Sequence, residues 1–104
     1  DAESVERVAV VGAGPTGRGV AAVAALGGLT VALRGLTADD AERGRDEVAR
    51  RLGRLAERGR LRGETVDAAL DRVETHADLA PAVDDADLVV EAVPDRRSVR
   101  RDVY

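Results

Sequence analysis

Cysteine, lysine, methionine, tryptophan and phenylalanine are all absent from this 104-residue chain, and tyrosine and histidine occur once each. Without cysteine there are no disulfides and no thiolate chemistry. A single histidine, His76, with no thiolate beside it leaves a zinc site short of ligands. One aromatic ring, Tyr104, on a chain of net charge −4 supplies neither base stacking nor phosphate neutralisation, so nucleic acid is not an expected partner. No apolar run approaches the roughly 18 residues of a membrane span. No basic stretch leads into an apolar one as in a secretory leader. A membrane is therefore not an expected partner, and the cytoplasm is the expected location. Every one of the 16 cations is arginine, which reads as compositional bias and not as a functional signal.

What is present is a 44% hydrophobic content made of Val, Leu and Ala, enough for one domain over residues 1–104. Val8 to Val11 is a short continuous apolar run, the pattern of a strand buried on both faces. Gly17 to Leu26 reads as a mostly buried helix closed by Gly27 and Gly28. Thr30 to Leu33 is a second strand. Thr37 then caps a long amphipathic helix from about Ala38 to Arg58, with Val48, Leu52 and Leu55 on one face. Thr65 to Val73 gives a second amphipathic helix, so a helical hairpin separates strands two and three. Glu74 to Ala77 is a weak polar strand suited to a sheet edge. Asp78 to Asp85 is a loop with one helical turn, and Asp84, Asp85 and Asp87 read as a surface turn. Asp87 to Pro94 is a strong buried strand, and Asp95 to Tyr104 has the look of another helix.

Strands alternating with helices imply an α/β fold, a Rossmann-like partial doubly wound parallel sheet, with strands two and four flanking strand one. Between the first strand and the first helix lies Gly12-Ala13-Gly14-Pro15-Thr16-Gly17. G-x-G-x-x-G is weak alone but is here in its required strand–turn–helix context. Gly12 allows the tight turn, Gly14 lets a pyrophosphate approach the backbone, and Gly17 lets helix and strand close up. The helix N-terminus offers free N–H groups to that anion.

V-A-V-V-G-A-G-P-T-G-R-G-V-A-A, the hairpin with A-R-R-L-G-R-L-A-E-R-G-R-L, and D-A-D-L-V-V-E-A-V-P-D together resemble the N-terminal NAD-binding domain of the 3-hydroxyacyl-CoA dehydrogenases, over about Glu6 to Tyr104. The resemblance implies NAD as cofactor, and hydride transfer between NAD and a 3-hydroxyacyl thioester. It implies that Gly12, Ala13, Gly14, Pro15, Thr16 and Gly17 wrap the pyrophosphate, with Thr16 where the family commonly has Met. It places Ala92, Val93 and Pro94 near the ribose. Asp95 and Arg100 stand where a Glu and a Lys contact the nicotinamide side. Arg51 and Arg58 match hairpin positions that approach the CoA portion of an acyl-CoA substrate. The family's catalytic His and Glu lie beyond the fourth strand. The expectation is thus a cofactor domain without its substrate and catalytic region, and no catalytic residue of its own.

One departure bears on the cofactor. Gly35 occupies the position of the family's Asp, whose carboxylate binds the adenosine ribose and repels a 2′-phosphate. Arg34 precedes it and has the chemistry to pair with such a phosphate, but neighbours on a strand point to opposite faces. NAD with reduced or with unimpaired affinity, NADP, and no binding at all remain open from sequence, and a non-catalytic nucleotide-binding or interaction module is the alternative function. The Arg-rich stretch 43–62 reads as a solvated helix with i, i+4 ion pairs such as Glu47–Arg51 and Asp46–Arg50. Glu91, inside an apolar strand, reads as structural, and His76 as a solvated surface residue. The fourth strand is expected to leave an apolar edge open, which predicts a homo-oligomer or a docked C-terminal domain.

Overall fold

The computed structural model describes residues 5–59, 65–93 and 96–101. Strand β1 spans Arg7–Val11, helix α1 Pro15–Leu26, strand β2 Thr30–Arg34 and helix α2 Ala38–Glu57. Helix α3 covers Val66–Leu70, strand β3 Val73–His76, helix α4 Leu79–Val83, strand β4 Leu88–Val93 and strand β5 Arg96–Arg101. The sheet order is β3-β2-β1-β4-β5. The first four strands run parallel, with β1 between β2 and β4 as expected from the crossover rule.

Alternation along the buried strands assigns each side chain to a face. Val8, Val10, Val31 and Leu33 point to the side covered by α1, α2 and α3, where Ala21, Ala25, Val48, Leu52 and Ala69 complete the larger core. Ala9, Ala32 and Val89 point to the other side, against Ala82 and Ala86 of the α4 region. Aromatic rings are not needed here, because alanine-rich helices such as α1 pack close to the sheet.

Local chemistry sets the helix boundaries. Pro15 sits at the first helical position of α1, where its missing N–H is no loss. The Thr37 hydroxyl accepts from Asp40 N at 3.0 Å and caps α2, and the Thr65 hydroxyl does the same for α3 from Ala68 N. Arg45, on the buried side of α2, donates to Val73 O at 3.0 Å and Leu70 O at 3.1 Å, which ties α2 to the end of α3 and the start of β3. Arg72 donates to Ala25 O at 2.8 Å, a cation on a carbonyl near the C-terminus of α1.

Three expectations are corrected. The segment read as a helix from Asp95 is a strand over the described residues 96–101, antiparallel to β4. Its composition, four Arg with Ser98 and Val99, has no 3.6-residue apolar stripe. The outer edge of β4 offers a full row of backbone partners instead. The sheet is thus four parallel strands with an antiparallel edge, and β4 does not carry the open edge from which self-association was expected. The helix read as Thr65 to Val73 stops at Leu70, and Val73 starts β3, where its side chain joins the larger core. Asp87 is more than a turn residue: its Oδ2 accepts from Glu6 N at 2.9 Å and Arg7 N at 3.0 Å, pinning the start of β1 to the start of β4.

Candidate functional site

The C-terminal ends of β1 and β2 open into a cleft of about 420 Å³, where an open α/β sheet places its ligands. Gly12 follows β1 with φ 115°, a conformation that side-chain-bearing residues rarely adopt. Its N–H donates to Arg34 O at 2.9 Å, which fixes the turn to the tip of β2. Arg18 N donates to Gly14 O at 2.9 Å. The N–H groups of Gly14, Thr16 and Gly17 lie ahead of that first intrahelical bond and face the entry of α1.

Two glycines of the turn differ in what they answer to. A Cβ on Gly17 would lie 1.8 Å from Gly12 O, so glycine there is a packing requirement. A Cβ on Gly14 would meet no heavy atom within 4 Å, and Gly14 has φ −77° and ψ −174°, extended backbone open to any residue. Neither packing nor backbone conformation calls for glycine at position 14. The space in front of it is open to the cleft, and the donors around it suit an anion. The turn therefore fits a dinucleotide pyrophosphate.

Arg18 is one turn into α1, and its Nε donates to Ala13 O at 2.6 Å, bracing the turn and adding positive charge to the cleft. Helix α2 closes against the same loop through Gly44, whose Cβ would come within 2.8 Å of Ala13 Cβ. The end of the cleft at the tip of β2 is bounded by Arg34, Gly35, Leu36, Asp40 and Arg43. Leu36 is 79% exposed, an apolar surface beside a polar cleft.

Among the expected site residues, Gly12 to Thr16, Arg34 and Gly35 come together in this lining, while Gly17 lies beneath it, packed on Gly12. Ala92 and Val93 end β4 next to β1, and Pro94 and Asp95 lie outside the described residues. Arg100 pairs in register with Val89, towards the start of β4 and away from the strand ends that frame the cleft. Arg51 and Arg58 are exposed on α2 and at its C-terminus, outside the cleft, with the Arg51 guanidinium lying over Gly19 of α1. Among the described residues the ion pairs formed on this helix are Arg43 with Asp40 and Arg50 with Glu47, each three residues apart where four was read from sequence. His76 is half-buried, its Nε2 3.3 Å from Glu74 Oε1, and does not line the cleft. The Glu74 carboxyl is held below its ordinary value chiefly by the hydrogen bonds it accepts from Arg7.

Sequence reasoning missed Arg18, Leu36, Asp40, Arg43 and Gly44. Arg18 was legible as the residue after the third glycine. The rest are brought in by the angle at which α2 meets the turn.

Residues 7–104 match the family described as 3-hydroxyacyl-CoA dehydrogenase, NAD binding domain. The chain belongs to this family. Among its relatives, the 3-hydroxyadipyl-CoA dehydrogenase of Escherichia coli is 37% identical over 97% of this chain and 21% of its own length. The human mitochondrial hydroxyacyl-coenzyme A dehydrogenase is 34% identical over 96% and 33%. The crystal structure of a 3-hydroxybutyryl-CoA dehydrogenase from Escherichia coli superposes with a TM-score of 0.78 at 39% identity, covering 89% of this chain and 20% of that one. The chain thus spans about a fifth to a third of the relatives it matches. It is an NAD-binding domain corresponding to their N-terminal part, and no helix among its described residues is long and apolar enough to cross a membrane.

Proposed function

We propose that this chain is the cofactor-binding part of an oxidoreductase that acts on 3-hydroxyacyl thioesters. The observation that carries the reading is Gly14, a glycine that neither packing nor backbone conformation requires, at the mouth of a helix N-terminus. The N–H groups of Gly14, Thr16 and Gly17 hold the pyrophosphate, Arg18 adds charge beside it, and Leu36 gives the adenine an apolar surface. The ends of β1 and β4 support the nicotinamide half. When bound, NAD supplies the hydride acceptor for C3 of the substrate.

Removing the C3 hydroxyl proton needs a positioned base. His76 does not line the cleft and is not assigned that role. Arg51 on α2 and Arg58 at its C-terminal cap remain the positions proposed to approach the CoA moiety, and Asp95 that proposed for the nicotinamide side, whereas the register of β5 sets Arg100 away from the strand ends.

Calorimetric titration of the chain with NAD+, ADP-ribose and nicotinamide mononucleotide tests the reading. NAD+ and ADP-ribose should bind with similar affinity and raise the melting temperature, because the contacts above lie on the ADP half. Nicotinamide mononucleotide should not bind. Absence of heat from NAD+ and ADP-ribose, with an unchanged melting temperature, would overturn it.

A further inference from the structure

The tip of β2 in this chain has no room for a side chain at position 35 unless the first turn of α2 shifts. A Cβ there would lie 2.5 Å from Ala41 N and 2.9 Å from both the carbonyl carbon and the Cβ of Asp40. The first turn of α2 occupies that space, so the loss of the carboxylate is built into the way helix and strand meet. Among the described residues lining the cleft the charged ones are Arg18, Arg34 and Arg43 against a single carboxylate, Asp40.

The three cations are held differently. Arg18 and Arg34 each anchor through Nε, to Ala13 O at 2.6 Å and to Ala77 O at 3.0 Å, and their terminal nitrogens make no hydrogen bond to a described residue. Arg43, 66% exposed, pairs with Asp40 through Nη2 only. Asp40 opposes an incoming anion, but its charge is already matched by Arg43. That end of the cleft therefore has an excess of guanidinium donors, three against the one carboxylate, Asp40, which stands beside Gly35 and is paired through Oδ1 with Arg43. Guanidinium groups bind phosphate through paired, charge-assisted hydrogen bonds.

From this we infer that the cleft accepts an adenosine ribose bearing a phosphate, and that NADP+ binds at least as tightly as NAD+, with Arg43 and Arg34 contacting the 2′-phosphate. The inference rests on the dinucleotide reading of the same cleft. A 2′-phosphate and the 3′-phosphate of CoA share this chemistry, and the assignment is to the former because the glycine turn supplies the second anion site at the head of the same cleft.

The test is parallel calorimetry of the chain with NAD+, NADP+, adenosine 2′,5′-bisphosphate and adenosine 3′,5′-bisphosphate, repeated on Arg43→Ala, a surface substitution that leaves the core intact. The expected result is an NADP+ affinity equal to or above that for NAD+, and preference for the 2′,5′ over the 3′,5′ isomer. In Arg43→Ala the ratio of NADP+ to NAD+ affinity should fall about tenfold, the worth of one hydrogen bond to a charged group. NAD+ binding well above NADP+, an unchanged ratio in Arg43→Ala, or tighter binding of the 3′,5′ isomer would each overturn the inference while leaving the dinucleotide reading intact. No binding of either dinucleotide would overturn both.

Discussion

Gly14→Ala and Gly17→Ala add the same methyl group three residues apart, and the structure predicts opposite consequences. At Gly17 the new Cβ falls 1.8 Å from Gly12 O. The turn or the helix must open by about 1.2 Å to reach even the tightest contact that Cβ atoms make, and backbone atoms yield less readily than side chains. Overpacking of this kind costs about 3 kcal/mol, which in a domain of this size lowers the melting temperature on the order of 10–20 °C. At Gly14 the new Cβ meets nothing within 4 Å and the backbone is already extended. Lower entropy of the unfolded chain stabilises the variant by about 0.4–1 kcal/mol. Alanine is a poorer N-cap than glycine by a comparable amount, so the melting temperature should stay within a few degrees. Binding should separate the two in the other sense. A methyl group at position 14 stands where the pyrophosphate meets the N–H groups of α1, and loss of two charge-assisted bonds weakens NAD+ by about a hundredfold. Thermal melts with and without NAD+, followed by calorimetry at a temperature where both variants are folded, give the answer. If Gly14→Ala melts as early as Gly17→Ala, or binds NAD+ as the parent chain does, the assignment of Gly14 to the ligand fails.

Two further predictions concern stability. Thr37→Ala removes the cap of α2 and should cost about 1 kcal/mol, read as a lower urea midpoint; an unchanged midpoint would show that the hydroxyl bond to Asp40 N contributes nothing. The hydrogen bonds from Arg7 hold the Glu74 carboxyl below its usual value, so its contribution is complete above the unfolded value and fades as pH falls through the folded one. Urea midpoints measured from about pH 6 down to about pH 3 should fall more steeply for the parent chain than for Glu74→Gln, by a modest amount because both partners are partly exposed and screened by water; parallel curves would refute the assignment.

Residues that act through their neighbours in sequence were legible in advance. Val8 to Val11, the glycine turn and the buried run at Leu88 to Val90 announce a strand, a turn–helix junction and a central strand. They depend on backbone conformation and on continuous burial, both of which are written locally. Thr37 as a cap is of the same kind, since its hydroxyl reaches only three residues ahead. The C-terminal end of α3 and the nature of the segment over the described residues 96–101 differ from the sequence reading. At Val73 burial against α2 outweighs helix continuation, and at 96–101 the open edge of β4 supplies partners that no helix-period stripe competes with.

By itself the sequence determined that a dinucleotide-type turn precedes the first helix, because G-x-G-x-x-G needs only its flanking strand and helix to be read. It also has glycine, Gly35, where the family it resembles carries an acidic residue. Only the tertiary structure decided why: the first turn of α2 fills the space a side chain would need. Only the tertiary structure decided, too, that Arg43 and Asp40, remote from the turn in sequence, complete the end of the cleft at the tip of β2. Spacing along a chain encodes which face of an element a residue occupies, whereas the approach of one element to another is set by packing across the sheet, and the cleft is made from that approach.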